Sequence, residues 1–216
     1  MSDHRVAQKI FNSAAKGYDF FLNFTTLGFI NWLQNKLIKN TPLKDNVLEI
    51  GTGTGELLKK ISKLKKTTLI GVDISENMLK VAKKKTPEAC FIRANAENLP
   101  VKENVIDNVF YSLTFRHLNS ENQINQLSRI VKNGGTVSIL DLGHSKLLVF
   151  LFKRLFKPVG KLIFSEEEYN YFLNSMEKAK NLEELENLFS KKNFKAIYKK
   201  KFLFSSVILV IFRKDS

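Results

Sequence analysis

Three glycines alternate with threonines in VLEIGTGTGELL, residues 47–58: Gly51, Gly53 and Gly55 follow an apolar run and precede a helix-forming one. Glycines at the exit of a strand let the backbone approach a ligand and take conformations that a Cβ forbids. In an open α/β sheet such ligands lie at the carboxyl ends of the strands. A dinucleotide motif would carry a third glycine where this chain has Glu56, and a phosphate-cradling loop would end in Gly-Lys-Ser/Thr, which is absent. The turn therefore suits a ligand not held by its phosphates. The next apolar run ends in Gly71-Val72-Asp73, and a carboxylate there is placed to accept hydrogen bonds from the two hydroxyls of a ribose. Asn95, Ala96 and Glu97 of NAENLP follow a third run, where amide and backbone groups suit the polar edge of an adenine; Ser112 follows a fourth. Each of these alone is an ordinary turn residue. Four in succession at strand ends read as one site for an adenosyl group without pyrophosphate.

Such a site needs strands and helices in alternation to assemble it. The first forty residues read as helix, in VAQKIFNSAA and LGFINWLQNKLI, from apolar residues at three- and four-residue spacing. From Val47 the pattern changes. VLEI, TTLIGVD, ACFIRA, VIDNVFYSL and TVSILDL read as strands, alternating with helices over GELLKKISKL, SENMLKVAKKK and ENQINQLSRIVK. Ser75 is placed as an N-cap, and Asn133-Gly134-Gly135 reads as a turn before the fifth strand. Alternation of this kind predicts crossover connections and an α/β fold with a mostly parallel sheet covered by helices on both faces. Residues 145–180 look helical and irregular, NLEELENLFSKK is a helix, and FKAIYKKKFLF with SSVILVIFRK forms an antiparallel strand pair at an edge.

Composition limits the remaining classes. At 216 residues with 44% hydrophobic content the chain supports a single α/β domain with a sizeable core. Its formal charge of +14 would suit a polyanion or an anionic membrane. The basic residues are scattered along the chain, however, so the charge reads as compositional bias and no nucleic-acid partner is expected. A single cysteine, Cys90, excludes an internal disulfide and a multi-thiolate metal site, and it reads as a buried structural thiol at the start of a strand. No apolar run approaches the roughly 20 residues that span a bilayer, which makes a cytoplasmic protein the expectation.

The segments E-I-G-T-G-T-G, G-V-D-I-S-E-N-M-L and the late N-G-G resemble the class I S-adenosylmethionine-dependent methyltransferases. IFNSAAKGYD at 10–19, RANAENLP at 93–100, SLTFRHL at 112–118 and EEYNYFLNS at 167–175 look, more narrowly, like the ubiquinone/menaquinone biosynthesis C-methyltransferases of the UbiE type. The resemblance implies a Rossmann-like seven-stranded sheet in the order 3-2-1-4-5-7-6 with the seventh strand antiparallel. It implies S-adenosylmethionine as cofactor, held by Gly51, Gly53, Thr54, Gly55, Asp73, Ile74, Asn95, Ala96 and Ser112. It also implies one domain over 1–216: a helical cap (1–40), a cofactor-binding core (45–142), an acceptor lid (143–180) and a C-terminal helix with a strand pair (181–216). The implied reaction is C-methylation of a lipophilic prenylated quinol precursor such as demethylmenaquinol. The chain departs from the family at Arg116-His117, where Arg-Asn is usual, and at Pro100-Val101, where Pro-Phe is common. It is also shorter after Asp141, where the acceptor is covered.

Methyl transfer from a sulfonium is a displacement, so the protein must align the acceptor and exclude water; neither a metal nor a covalent nucleophile is required. Arg116 is expected to face a ring oxygen of the acceptor, His117 to act as a base, and Tyr18 with Asp19 to close over the methionine end; Asp141 is a weaker candidate. The same residues also read as a structural ion pair, a surface or capping histidine, and helix-end packing. LLVFLFKRLFKP, with Lys153, Arg154 and Lys157, reads either as a lid resting on a membrane surface or as an amphipathic helix packed on the sheet. Two other functions fit the pattern: a methyltransferase of the same fold acting on another small molecule or on RNA, and a cofactor-binding regulator without turnover.

Overall fold

The apolar runs become the strands of one sheet. The computed structural model describes residues 8–12, 26–145, 149–150, 153–154, 165–203 and 205–215. Strands β1 (Asn46–Ile50), β2 (Thr68–Asp73), β3 (Cys90–Arg93), β4 (Ile106–Ser112) and β5 (Val131–Leu142) pair in parallel. β6 (Phe194–Phe202) and β7 (Val207–Lys214) complete a seven-stranded sheet of order 3-2-1-4-5-7-6, in which β7 runs antiparallel to both neighbours. Class, order and orientation are those expected.

Helices α1 (Phe29–Asn40), α2 (Glu56–Ser62), α3 (Glu76–Lys85), α4 (Ser120–Ile130), α5 (Glu166–Glu177) and α6 (Leu182–Ser190) connect or flank the strands. Central strands bury both faces, as covered parallel sheets do. In β1, Leu48 and Ile50 join the core beneath α4 and α6, and Val47 joins the one beneath α1 and α2. Side chains fix where helices start. The Ser75 hydroxyl accepts the amide of Met78, the Asn119 side chain accepts that of Asn122, and Asn181 with Glu184 forms a capping box.

One local expectation holds and one is corrected. Asn133-Gly134-Gly135 forms the turn expected before the run that starts at Thr136, with Gly134 at left-handed φ +72. The strand is formally entered at Val131, which pairs with Ile106, but the ladder shifts register there and resumes only at Thr136 opposite Asn108. The turn residues bulge out of the ladder rather than pairing in it. Cys90 does begin β3 but is exposed, because β3 is the edge strand and has a neighbour on one side only. Tyr18 and Asp19 lie outside the described residues, as does Lys157 with most of the 143–164 stretch; Lys153 is described and pairs with Glu177 at 2.5 Å. Among the described residues, no helix is long and apolar enough to cross a membrane, and no group of His, Cys, Asp and Glu is placed to hold a metal ion.

Candidate active site

The glycine turn leaves β1 with Gly51, Gly53 and Gly55 all at left-handed φ, +68, +53 and +78. Gly51 is fixed by crowding: a Cβ there would lie 2.2 Å from the Thr114 methyl, and its amide donates to the Val72 carbonyl at 2.8 Å. Gly53 is different. A Cβ on it would meet nothing within 4 Å, so the backbone at this residue faces open space in a cleft above the strand ends. That cleft, about 1210 Å³ with its mouth included, is lined by Gly51, Gly53, Thr54, Asp73, Ile74, Asn95, Ala96 and Ser112. Gly55 does not line it; its α-carbon faces Ala82 of α3 at the start of α2.

Asp73 braces the turn from the end of β2. One carboxylate oxygen accepts the Gly53 amide at 2.8 Å and the other accepts the Ser75 amide at 2.8 Å. Burial raises its carboxyl above the ordinary range, and the backbone donors oppose that shift. The Ile74 amide is a third donor, which leaves the carboxylate acceptor capacity for a ligand hydroxyl. Asn95 folds its loop as an Asx turn, its side chain accepting the Glu97 amide, and Gln123 of α4 holds the Ala96 carbonyl. Glu97, expected beside the adenine, turns the other way: its carboxylate accepts from the Asn119 amide and the Asn122 side chain. The Ser112 hydroxyl accepts from Gln34 of α1 at 2.9 Å.

Past β4 the chain makes a single 3-10 turn, Phe115–His117, which sends its two candidate side chains in different directions. His117 points into the cleft, stacked on Tyr171 at 5.3 Å with Phe11 edge-on at 6.1 Å. Its Nδ1 is buried without a hydrogen-bond partner among the described residues. Burial, helped by the neighbouring Arg116 charge, pushes its pKa well below that of an ordinary histidine. Arg116 does not reach the cleft. Its guanidinium and Asp141, 8% and 4% exposed, form an ion pair at 2.5 Å, and it also donates to the Leu113 carbonyl. This pair lines a second, more open cleft, separated from the first by His117 and Leu118. A structural ion pair thus takes the group expected to face a ring oxygen.

Several residues of the site were not singled out from the sequence. Glu49, on β1 below the glycine turn, is buried on the cleft floor, where it accepts the Thr52 hydroxyl at 2.6 Å; burial raises its pKa to about 8. Lys60 of α2 donates to Asn31 and Gln34 of α1 at 2.6 Å each, and partial burial lowers its pKa. Asn31 and Gln34 are polar residues on the otherwise apolar face of α1, a signal the sequence did carry. Phe11 lines the mouth because Asn12 is anchored by Ser75, which donates to it at 2.6 Å, and by the Asn77 side chain.

A sheet of this order, with a glycine turn after β1 and a carboxylate at the end of β2 facing one cleft, defines a class I methyltransferase. The sequence profile of the ubiE/COQ5 methyltransferase family matches residues 1–212, and the chain belongs to that family, as an S-adenosylmethionine-dependent methyltransferase. It is 28% identical over 207 residues to the ubiquinone/menaquinone biosynthesis C-methyltransferase UbiE of Wigglesworthia glossinidia brevipalpis, covering 87% of this chain and 82% of that protein. It is 29% identical over 219 residues to the demethylmenaquinone methyltransferase of Chlamydia caviae, covering 96% and 95%. Among solved structures, the fold is similar to a putative methyltransferase in complex with the Trm112 activator of Haloferax volcanii, at TM-score 0.74 and 15% identity over 95% of this chain and 98% of that one. Geranyl diphosphate C-methyltransferase of Streptomyces coelicolor shares it at TM-score 0.68 and 8% identity, over 85% and 79%.

Proposed function

We propose that this enzyme methylates a ring carbon of a lipophilic prenylated quinol precursor, with demethylmenaquinol as the acceptor. The observation that carries the cofactor half is the cleft itself: an open backbone at Gly53, with Asp73 beside it and Asn95 and Ala96 farther along the rim. The acceptor half is supported by the names of two relatives, a ubiquinone/menaquinone biosynthesis C-methyltransferase in Wigglesworthia and a demethylmenaquinone methyltransferase in Chlamydia. S-adenosylmethionine bound here supplies an electrophilic methyl carbon on a sulfonium. Gly51, Gly53 and Thr54 would shape its seat, with Gly55 starting α2 behind them; Asp73 would take the ribose hydroxyls with Ile74 alongside, and Asn95, Ala96 and Ser112 would line the flanks of the pocket.

His117 serves as the base. Burial holds its imidazole neutral at physiological pH, which leaves a nitrogen lone pair but weakens it as a base. It accepts a hydrogen bond from a ring hydroxyl and draws that proton toward itself only as methyl transfer proceeds, which raises the nucleophilicity of the adjacent ring carbon; the hydrogen on that carbon leaves to solvent as a proton afterwards. Arg116 acts through its pair with Asp141, holding the turn that presents His117.

Calorimetric titration with S-adenosylhomocysteine tests the cofactor assignment. Micromolar binding by the wild type and its loss in Asp73→Ala are expected; folded wild type that does not bind would overturn it. Methyl transfer to a short-chain demethylmenaquinol then tests the acceptor. Binding without turnover on any quinol would remove the acceptor and leave the methyltransferase.

A further inference from the structure

The carboxyl end of the sheet carries a second feature, outside both clefts. α1 runs antiparallel to β4, since Gln34 reaches Ser112 at the exit of that strand while the Lys44 amide, past the other end of the helix, reaches Asn108. The first turn of α1 therefore lies at the end where the cofactor cleft opens. β7 starts at that end too: Val207 pairs with Leu142, the last residue of β5, and with Phe202, the last of β6. The α1 start and the β6–β7 turn meet there through three rings, with Trp32 5.7 Å from Phe29 and 5.6 Å from Phe202.

Exposed apolar groups surround this ring cluster. Leu27 is 91% exposed, Leu203 59% and Trp32 49%. Both leucines hold left-handed backbone, φ +49 and +48, a conformation that glycine or asparagine adopts far more readily. Two turn tips thus present strained, solvated leucines next to aromatic rings, an arrangement that neither local propensity nor packing rewards. Cations rim the patch. The Lys36 ammonium lies 5.0 Å from the Trp32 ring, and Lys200 and Lys201 are exposed on opposite faces of β6 just ahead of Phe202. No described carboxylate forms an ion pair with Lys36, Lys200 or Lys201.

We propose that this face docks the enzyme on an anionic lipid bilayer, with Leu27, Trp32 and Leu203 entering the interface and Lys36, Lys200 and Lys201 lying among the headgroups. Aromatic and aliphatic tips flanked by unneutralised lysines match the layered polarity of such a surface, apolar inside and negative at its rim. A second copy of this chain is a poorer occupant, because self-docking would bring the same lysines together on two molecules of charge +14. The patch includes none of residues 147–158, where the sequence suggested a membrane contact. That docking brings the cleft to its acceptor rests on the quinol assignment; the docking itself does not.

Flotation with phosphatidylcholine vesicles, with and without phosphatidylglycerol, reads docking without turnover. The wild type is expected to float with the anionic vesicles at low salt and to be released by high salt. Leu27→Gly/Leu203→Gly removes both tips while relaxing both left-handed positions, and Lys200→Glu/Lys201→Glu reverses the rim. Each double variant is expected to melt like the wild type and to bind at least about tenfold more weakly. Absence of wild-type flotation, equal binding to neutral vesicles, or full binding by either folded double variant would overturn the proposal. A wild-type dimer in sedimentation that Leu27→Gly/Leu203→Gly abolishes, without flotation, would assign the face to a second copy. Turnover on detergent-dispersed quinol is scored separately, so failure of the acceptor assignment leaves the flotation result standing.

Discussion

Glu49 sits under the glycine turn with its pKa raised from 4.5 to about 8 by burial, so at neutral pH it is held mostly as the neutral acid. An unfolded chain releases that proton near pH 4.5, and the folded one only near 8. The contribution to stability is therefore fully present below about 4.5, declines as pH rises, and is gone above about 8, with a slope of up to about 1.4 kcal/mol per pH unit. Glu49→Gln keeps the shape and cannot ionise. Urea unfolding at several pH values between 5 and 9 is expected to show a flatter profile for the variant; parallel profiles would mean that Glu49 is already ionised in the native protein. The glycines and Asp73 were legible in the sequence because the turn geometry depends on residues close together in the chain. Glu49 was not, since its place on the cleft floor depends on which face of β1 meets α1. The direction of Arg116 depended on Asp141, a partner on another strand.

The turn after β4 is held to β5 by the Arg116–Asp141 pair, and Asp141 also accepts the Arg116 amide and the Leu142 amide. Removing one member leaves the other charge buried alone. Arg116→Met is expected to cost about 3–5 kcal/mol in urea unfolding, and to lower kcat with little change in cofactor affinity because it loosens the turn presenting His117. A variant as stable as the wild type would show that the pair is not structural; a variant that is destabilised but turns over normally would show that the turn does not position the base. The succession of strands and helices along the core of the chain was legible from alternation, the order of strands in the sheet only through the family resemblance, and the Ser75 cap from a serine ahead of an amphipathic run. Asn133-Gly134-Gly135 was legible because turn propensity is local; what it did not announce is that Val131, ahead of the turn, already pairs with Ile106 of β4. Cys90 misled because burial in a strand depends on whether the strand is central, and β3 is at the edge.

At the scale of the molecule, the sheet has one working end. The cleft, the turn carrying His117, the start of α1 and the β6–β7 tip all lie where the parallel strands finish. Charge and length gave no hint of this polarity; it follows from α1 and β7 both running against the parallel strands. Docking by that shared end would change the variable that sets the rate. An enzyme held by that end works on an acceptor dissolved in two dimensions, so its velocity should follow the mole fraction of quinol in the bilayer rather than the amount per volume of solution. Diluting vesicles of fixed composition, at concentrations where the enzyme stays bound, should leave the rate unchanged. Diluting the quinol with inert lipid at constant total quinol should lower it, and a rate that tracks bulk quinol alone would place the encounter in water.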